Sequence, residues 1–131
     1  MKRLLSLLLV LCLIPAAALA ELSSFREVNS FILRFVEPMG DPRVRLSGEI
    51  IDIYNVKTNH WDMKVAVDEK DAPNSIYYDR PYFIAHFRLH VDSVPFSVGD
   101  YVEVRGTINF MYSSPLIPFV QVDTINGSDD F

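Results

Sequence analysis

The sequence predicts an all-β domain with one N-terminal helix, its five strands closing into a small barrel. Three observations carry that expectation. In residues 98–108 a Gly-Asp turn opens an alternating run, with Val102 and Val104 facing one way and Tyr101, Glu103 and Arg105 the other. Gly106 then removes a side chain where a closing barrel must bend or bulge. Residues 44–50 repeat the device, alternating apolar and polar positions into Gly48. Two further runs, 60–68 and 82–91, keep a period of two over the length of a strand.

The chain has 131 residues, half of them hydrophobic, which is room and material for one packed core. Residues 1–20 stand apart from it. Lys2 and Arg3 form a basic start, residues 4–14 an apolar run, and Ala18-Leu19-Ala20 a small-x-small cleavage site, the pattern of a secretory signal. A membrane anchor would need about 20 uninterrupted apolar residues, and Pro15 breaks this run early. Cys12 lies inside the apolar run rather than after small residues, which argues against lipidation. Cleavage after Ala20 removes that cysteine and predicts an exported protein, periplasmic or secreted, that is held by packing alone with no disulfide and no stable membrane insertion. It also leaves ten basic residues against seventeen acidic ones, a net −7, a balance that disfavours phosphate backbones.

Residues 21–42 are read as a helix and a linker. Ser24-Phe25-Arg26-Glu27 has the spacing of a capping box, in which Ser24 and Glu27 satisfy each other's backbone amides. Phe25, Val28, Ile32 and Phe35 then recur at three and four residues, a stripe that needs apolar cover, until Pro38-Met39-Gly40 ends the run. The expected role is a lid over one end of the barrel, in place of a helix between the third and fourth strands.

Residues 43–125 hold the strands. The first runs from 43 to 54, with inward parity switching from Val44 and Leu46 to Ile51 and Ile53 around Gly48, as a bulge would do. A polar loop, 55–59, follows it. The second strand, 60–68, places Trp61, Met63, Val65 and Val67 inward and His60, Asp62, Lys64, Ala66 and Asp68 outward. A longer connection, 69–81, carries two prolines and the pair Tyr77-Tyr78. The third strand, 82–91, turns Phe83, Ala85, Phe87, Leu89 and Val91 inward and Tyr82, Ile84, His86, Arg88 and His90 outward. Residues 92–98 are too short for a helix, and the fourth strand ends near Phe110. An apolar loop, 111–118, leads to the fifth strand, 119–125, and residues 126–131 read as a disordered acidic tail.

Five such strands, with glycine in the first and Gly-Asp-x-Val-x-Val-x-Gly opening the fourth, resemble the OB-fold, a five-stranded Greek-key barrel. More narrowly the chain is similar to small exported bacterial proteins that follow a signal peptide with one such barrel. It departs from the pattern where an OB-fold commonly carries a helix between strands three and four. The resemblance implies a binding surface on strands two and three, framed by residues 55–59 and 111–118. It implies no particular ligand, since one fold hosts many.

Catalytic patterns are weak. None of the three histidines, His60, His86 and His90, stands beside a serine elbow. Asp71-Ala72-Pro73-Asn74 resembles the Asp-Ala-Pro-Glu segment of thermonuclease-like enzymes, but asparagine replaces the glutamate and no set of arginines and carboxylates accompanies it, so a proline turn is the reading. His86 and His90 lie four residues apart on one strand, roughly 13 Å at 3.3 Å per residue, too far to share an ion. No cofactor motif is present. The outward set of His86, Arg88 and His90, with Tyr82 beside them, Lys64 on the neighbouring strand and Tyr112 in the apolar loop, is the candidate ligand surface. Arginine and aromatic groups there would suit a small anionic or aromatic ligand.

The expectation is a non-catalytic exported binding module for a protein or small ligand of the cell envelope. The alternative is binding of single-stranded nucleic acid or an oligosaccharide through the face of strands two and three.

Overall fold

The computed structural model describes residues 21–34, 42–68, 81–90, 93–114 and 117–131. The signal segment, Phe35, the Pro38-Met39-Gly40 stop, the 69–80 connection with its Asp-Ala-Pro-Asn segment, and Leu116 lie outside the described residues. Within them the protein is all-β with one short helix, and its strands close into a five-stranded OB-like barrel.

Helix α1 (Phe25–Arg34) precedes β1 (Arg43–Lys57), β2 (His60–Ala66), β3 (Tyr82–Arg88), β4 (Tyr101–Ile108) and β5 (Phe119–Ile125). Around the barrel the order is β1-β2-β3-β5-β4. All pairs are antiparallel except β3 with β5, where Ile84, Ala85 and His86 stand against Phe119, Val120 and Gln121. That parallel pair is what closes the barrel and brings the start of β5 beside the middle of β3.

The capping box forms as its spacing predicts. The Glu27 amide donates to Ser24 Oγ at 3.1 Å, and the Ser24 amide donates back to Glu27 Oε2 at 3.2 Å. Phe25 and Val28 then enter the core, and Ile32 packs against it. The chain leading into the helix is tied to β1, where the Leu22 amide donates to Arg43 O and the Arg45 amide to Leu22 O. Arg43 stands opposite Thr107 at the end of β4, and Phe31 meets Phe110 just beyond it, so α1 closes the end where β1 begins and β4 finishes.

The opposite end, where β3 finishes and β4 begins, is closed differently. Phe131 is buried at 7 % exposure against Phe87 and Phe96, ring centroids 5.8 and 5.9 Å away, and its carbonyl accepts from the His90 amide. The helix therefore does not stand in for a missing element between strands three and four; Phe96 and Phe131 occupy that end. The segment expected as a disordered acidic tail carries this buried phenylalanine beyond the exposed Asp129 and Asp130.

Strand parity holds for the core: Val44, Leu46, Ile50, Met63, Val65, Phe83, Ala85, Phe87, Val102, Val104 and Ile108 are all buried. β1 departs from expectation twice. Its bulge comes at Ile51 rather than at Gly48, leaving Ile51 exposed while Ile50 faces in, and the strand continues through the supposed loop to Lys57 with a second irregularity between Asn55 and Lys57. Thr58 and Asn59 alone make the turn, with Asn59 at φ 64°. β2 and β3 end earlier than expected, at Ala66 and Arg88. Ala66, expected on the solvent side, is buried. Among the described residues no helix is long and apolar enough to cross a membrane.

Candidate functional site

The outer face of β2, β3 and β5 carries an open groove of about 490 Å³ lined by Val56, Lys57, His60, Asp62, His86, Tyr112, Phe119 and Gln121. It lies between the end of β1 and the loop after β4, where the resemblance places a binding surface.

Each wall follows from local chemistry. Antiparallel pairing sets Asp62 opposite His86 and Tyr54 opposite Asp62, so three polar side chains from three neighbouring strands share one face. His60, two residues before Asp62, points the same way because strand side chains alternate. The turn that delivers His60 is held by Asn55, whose Nδ2 donates to Lys57 O and to His60 O, each at 3.1 Å. On the far wall, Ser113 Oγ donates to Asn109 O at 2.7 Å and accepts from the Phe119 amide at 2.8 Å, a brace that holds Tyr112 over Phe119.

These contacts make a polar chain. His86 Nδ1 lies 2.6 Å from Asp62 Oδ1, and His86 Nε2 lies 3.2 Å from His60 Nδ1. An ionised Asp62 only accepts, so His86 Nδ1 carries a proton and donates it, leaving Nε2 to face His60. On its other side Asp62 stands beside Tyr54; burial, reinforced by the charges of Asp62 and Asp52, raises the phenol above its ordinary range. Desolvation, with Lys57, His86 and Arg88 adding to it, lowers His60 and favours its neutral form.

The same side chains form a row of rings. His60 stacks on His86 with centroids 5.3 Å apart, His86 on Phe119 at 5.6 Å, and Phe119 meets Tyr112 at 5.4 Å. Tyr112 is 65 % exposed, so the row ends in solvent with an accessible face.

Of the residues expected from sequence, the groove collects two, His86 and Tyr112. Lys64 and Tyr82 pair with each other instead, the ammonium 5.4 Å from the ring centroid, and Tyr82 is buried beneath it. Arg88 is exposed and stands opposite His60 across the β2–β3 ladder. His90 is exposed beyond the end of β3 and lines none of the groove. Of the expected set of His86, Arg88 and His90, His86 is hydrogen-bonded to Asp62 within the groove, while the exposed Arg88 and His90 are not among its lining. Asp62 itself, expected in solvent, is 7 % exposed.

Sequence reasoning missed Phe119, Gln121, Lys57 and Tyr54. The alternation of His60 and Asp62 was a usable signal for one wall; the other walls depend on pairings between distant strands. No protein-family model matches this chain, and no curated protein matches it.

Proposed function

We propose that this protein is an exported binding module of the OB type, and that the groove over β2, β3 and β5 takes a small ligand with a flat ring and an anionic group. The observation that carries this reading is the row of rings from His60 to Tyr112, a stacking platform with one open end. Stacking of a ring on an aromatic side chain contributes about 1–3 kcal/mol and tolerates many ring types. Lys57, at the rim, supplies the fixed positive charge for an anionic substituent. Gln121 supplies an amide with both donors and an acceptor.

Export rests on the signal-like residues 1–20, and their pattern supports a bacterial envelope or secreted setting. A long nucleic acid strand suits the groove less well, because the mature chain carries a net −7 and gains little from phosphate contacts. The test is a thermal-shift and saturation-transfer NMR screen with nucleotides, aromatic carboxylates and acidic sugars. Binding of a ring-bearing anion that weakens about tenfold or more in Tyr112→Ala is the expected result. Ligands that bind equally to Tyr112→Ala, or bind only without a ring, would overturn the stacking site.

A further inference from the structure

The contact between His60 and His86 has the geometry of a metal-binding pair. Two imidazole nitrogens on different strands face each other at 3.2 Å, and the His86 ring is held from its far side by Asp62. An ion at the usual distance of about 2.0–2.1 Å from both nitrogens would make an N–metal–N angle of about 100–105°, close to tetrahedral. Asp62 completes the arrangement from behind: its carboxylate accepts a hydrogen bond from His86 Nδ1–H at 2.6 Å, which fixes the tautomer that leaves Nε2 as the ligating atom and makes that nitrogen more basic. Phe119 packs on the His86 ring at 5.6 Å and limits its rotation.

We propose that His60 Nδ1 and His86 Nε2 form a two-histidine site for an imidazole-seeking divalent ion such as Zn²⁺, with Asp62 as the group that orients His86. Among the described residues no three His, Cys, Asp or Glu side chains converge on one point, so the remaining coordination positions open into the groove. Water or an anionic ligand fills them. In the neutral pair the His60 Nδ1 proton faces His86 Nε2; as the ion takes its place that proton moves through solvent to His60 Nε2, and each ring keeps one proton. Lys57 and Arg88 oppose a cation here, while Asp62 favours it, so the site is labile and an anionic third ligand tightens it. The inference is separable from the stacking site, because Tyr112 holds no ligating atom in it.

The experiment uses tag-free protein stripped with chelator, titrated with ZnCl₂ by calorimetry and with CoCl₂ by visible absorption. One equivalent of Zn²⁺ should bind, with the intense visible bands of four-coordinate Co²⁺. His60→Ala, at the half-buried first residue of β2, should weaken binding by about tenfold or more, and Asp62→Asn by about 10–100-fold, with unfolding curves of both variants confirming the fold. His90→Ala and Tyr112→Ala should leave Zn²⁺ affinity unchanged. Absence of one-to-one binding, full affinity in His60→Ala, or loss of binding in His90→Ala would each overturn the site; retained metal binding without any ring-selective ligand would separate its fate from that of the stacking reading.

Discussion

Asp62 shows how one carboxylate organises a sheet face. It is nearly buried, and a carboxylate there is tolerable because it accepts from the His86 ring. The burial of Tyr54 beside it has a pH signature. Tyr54 is raised in the folded state, so folded and unfolded chains both hold its proton below about pH 10; above that value the unfolded chain releases it first. Stability should therefore be full below about pH 10 and fall as pH rises through the folded value. Tyr54→Phe should flatten this alkaline loss, and an absorbance titration of its tyrosinates should lack the latest-titrating component. An unchanged alkaline limb in the variant would show that Tyr54 does not carry it.

At the scale of elements, two strands each meet a neighbouring backbone at a glycine. β1 pairs with β4 up to Glu49 and with β2 from Glu49 onward, and a Cβ at Gly48 would fall on the Ala66 carbonyl oxygen. β4 pairs with β1 and β5 at once, Gly106 standing between Val44 and Val122, and a Cβ at Gly106 would fall on the Gln121 carbonyl oxygen, beside the irregularity between Arg105 and Gly106. In both places the obstacle is backbone, which cannot rotate away as a side chain can. Gly48→Val and Gly106→Val should each cost about 1–3 kcal/mol or more, whereas Ser47→Val, on the outer face of the same strand, should stay within about 0.5 kcal/mol. Urea denaturation of the three variants is the check, and equal stability would mean that the crossings have slack.

For the whole molecule, the barrel has two ends and two different closures. α1 brings Phe25 and Val28 to one, anchored by its capping box and by the Leu22 bridge to β1. Phe87, Phe96 and Phe131 meet edge to face at the other, with centroids within 5.9 Å of one another. A ring at such a position contributes both its buried area and its edge contacts. Phe131→Ala should lower stability by about 3 kcal/mol without abolishing the barrel, measured by thermal and chemical unfolding. A melting temperature unmoved by the substitution would show that the end is closed by Phe96 alone.

What the sequence determined by itself is what short-range physics controls. Ser24 and Glu27 cap their helix because they are three residues apart, and Met63, Val65, Phe83, Ala85 and Phe87 face inward because strand side chains alternate. Gly48 and Gly106 were readable as places where a neighbouring backbone leaves no room for a side chain, though the β1 bulge itself falls at Ile51. Long-range placement was a matter for tertiary structure. Nothing in residues 60–66 or 82–88 states that Asp62 stands opposite His86, because the connection between the strands does not fix their register, and a slip of one residue would turn His86 to the other face. Phe119 reaches His86 only through the parallel β3–β5 pair that closes the barrel, 33 residues after it in the chain. The groove is made of such pairings, and the free energy that sets them belongs to the packed core beneath rather than to the groove residues themselves.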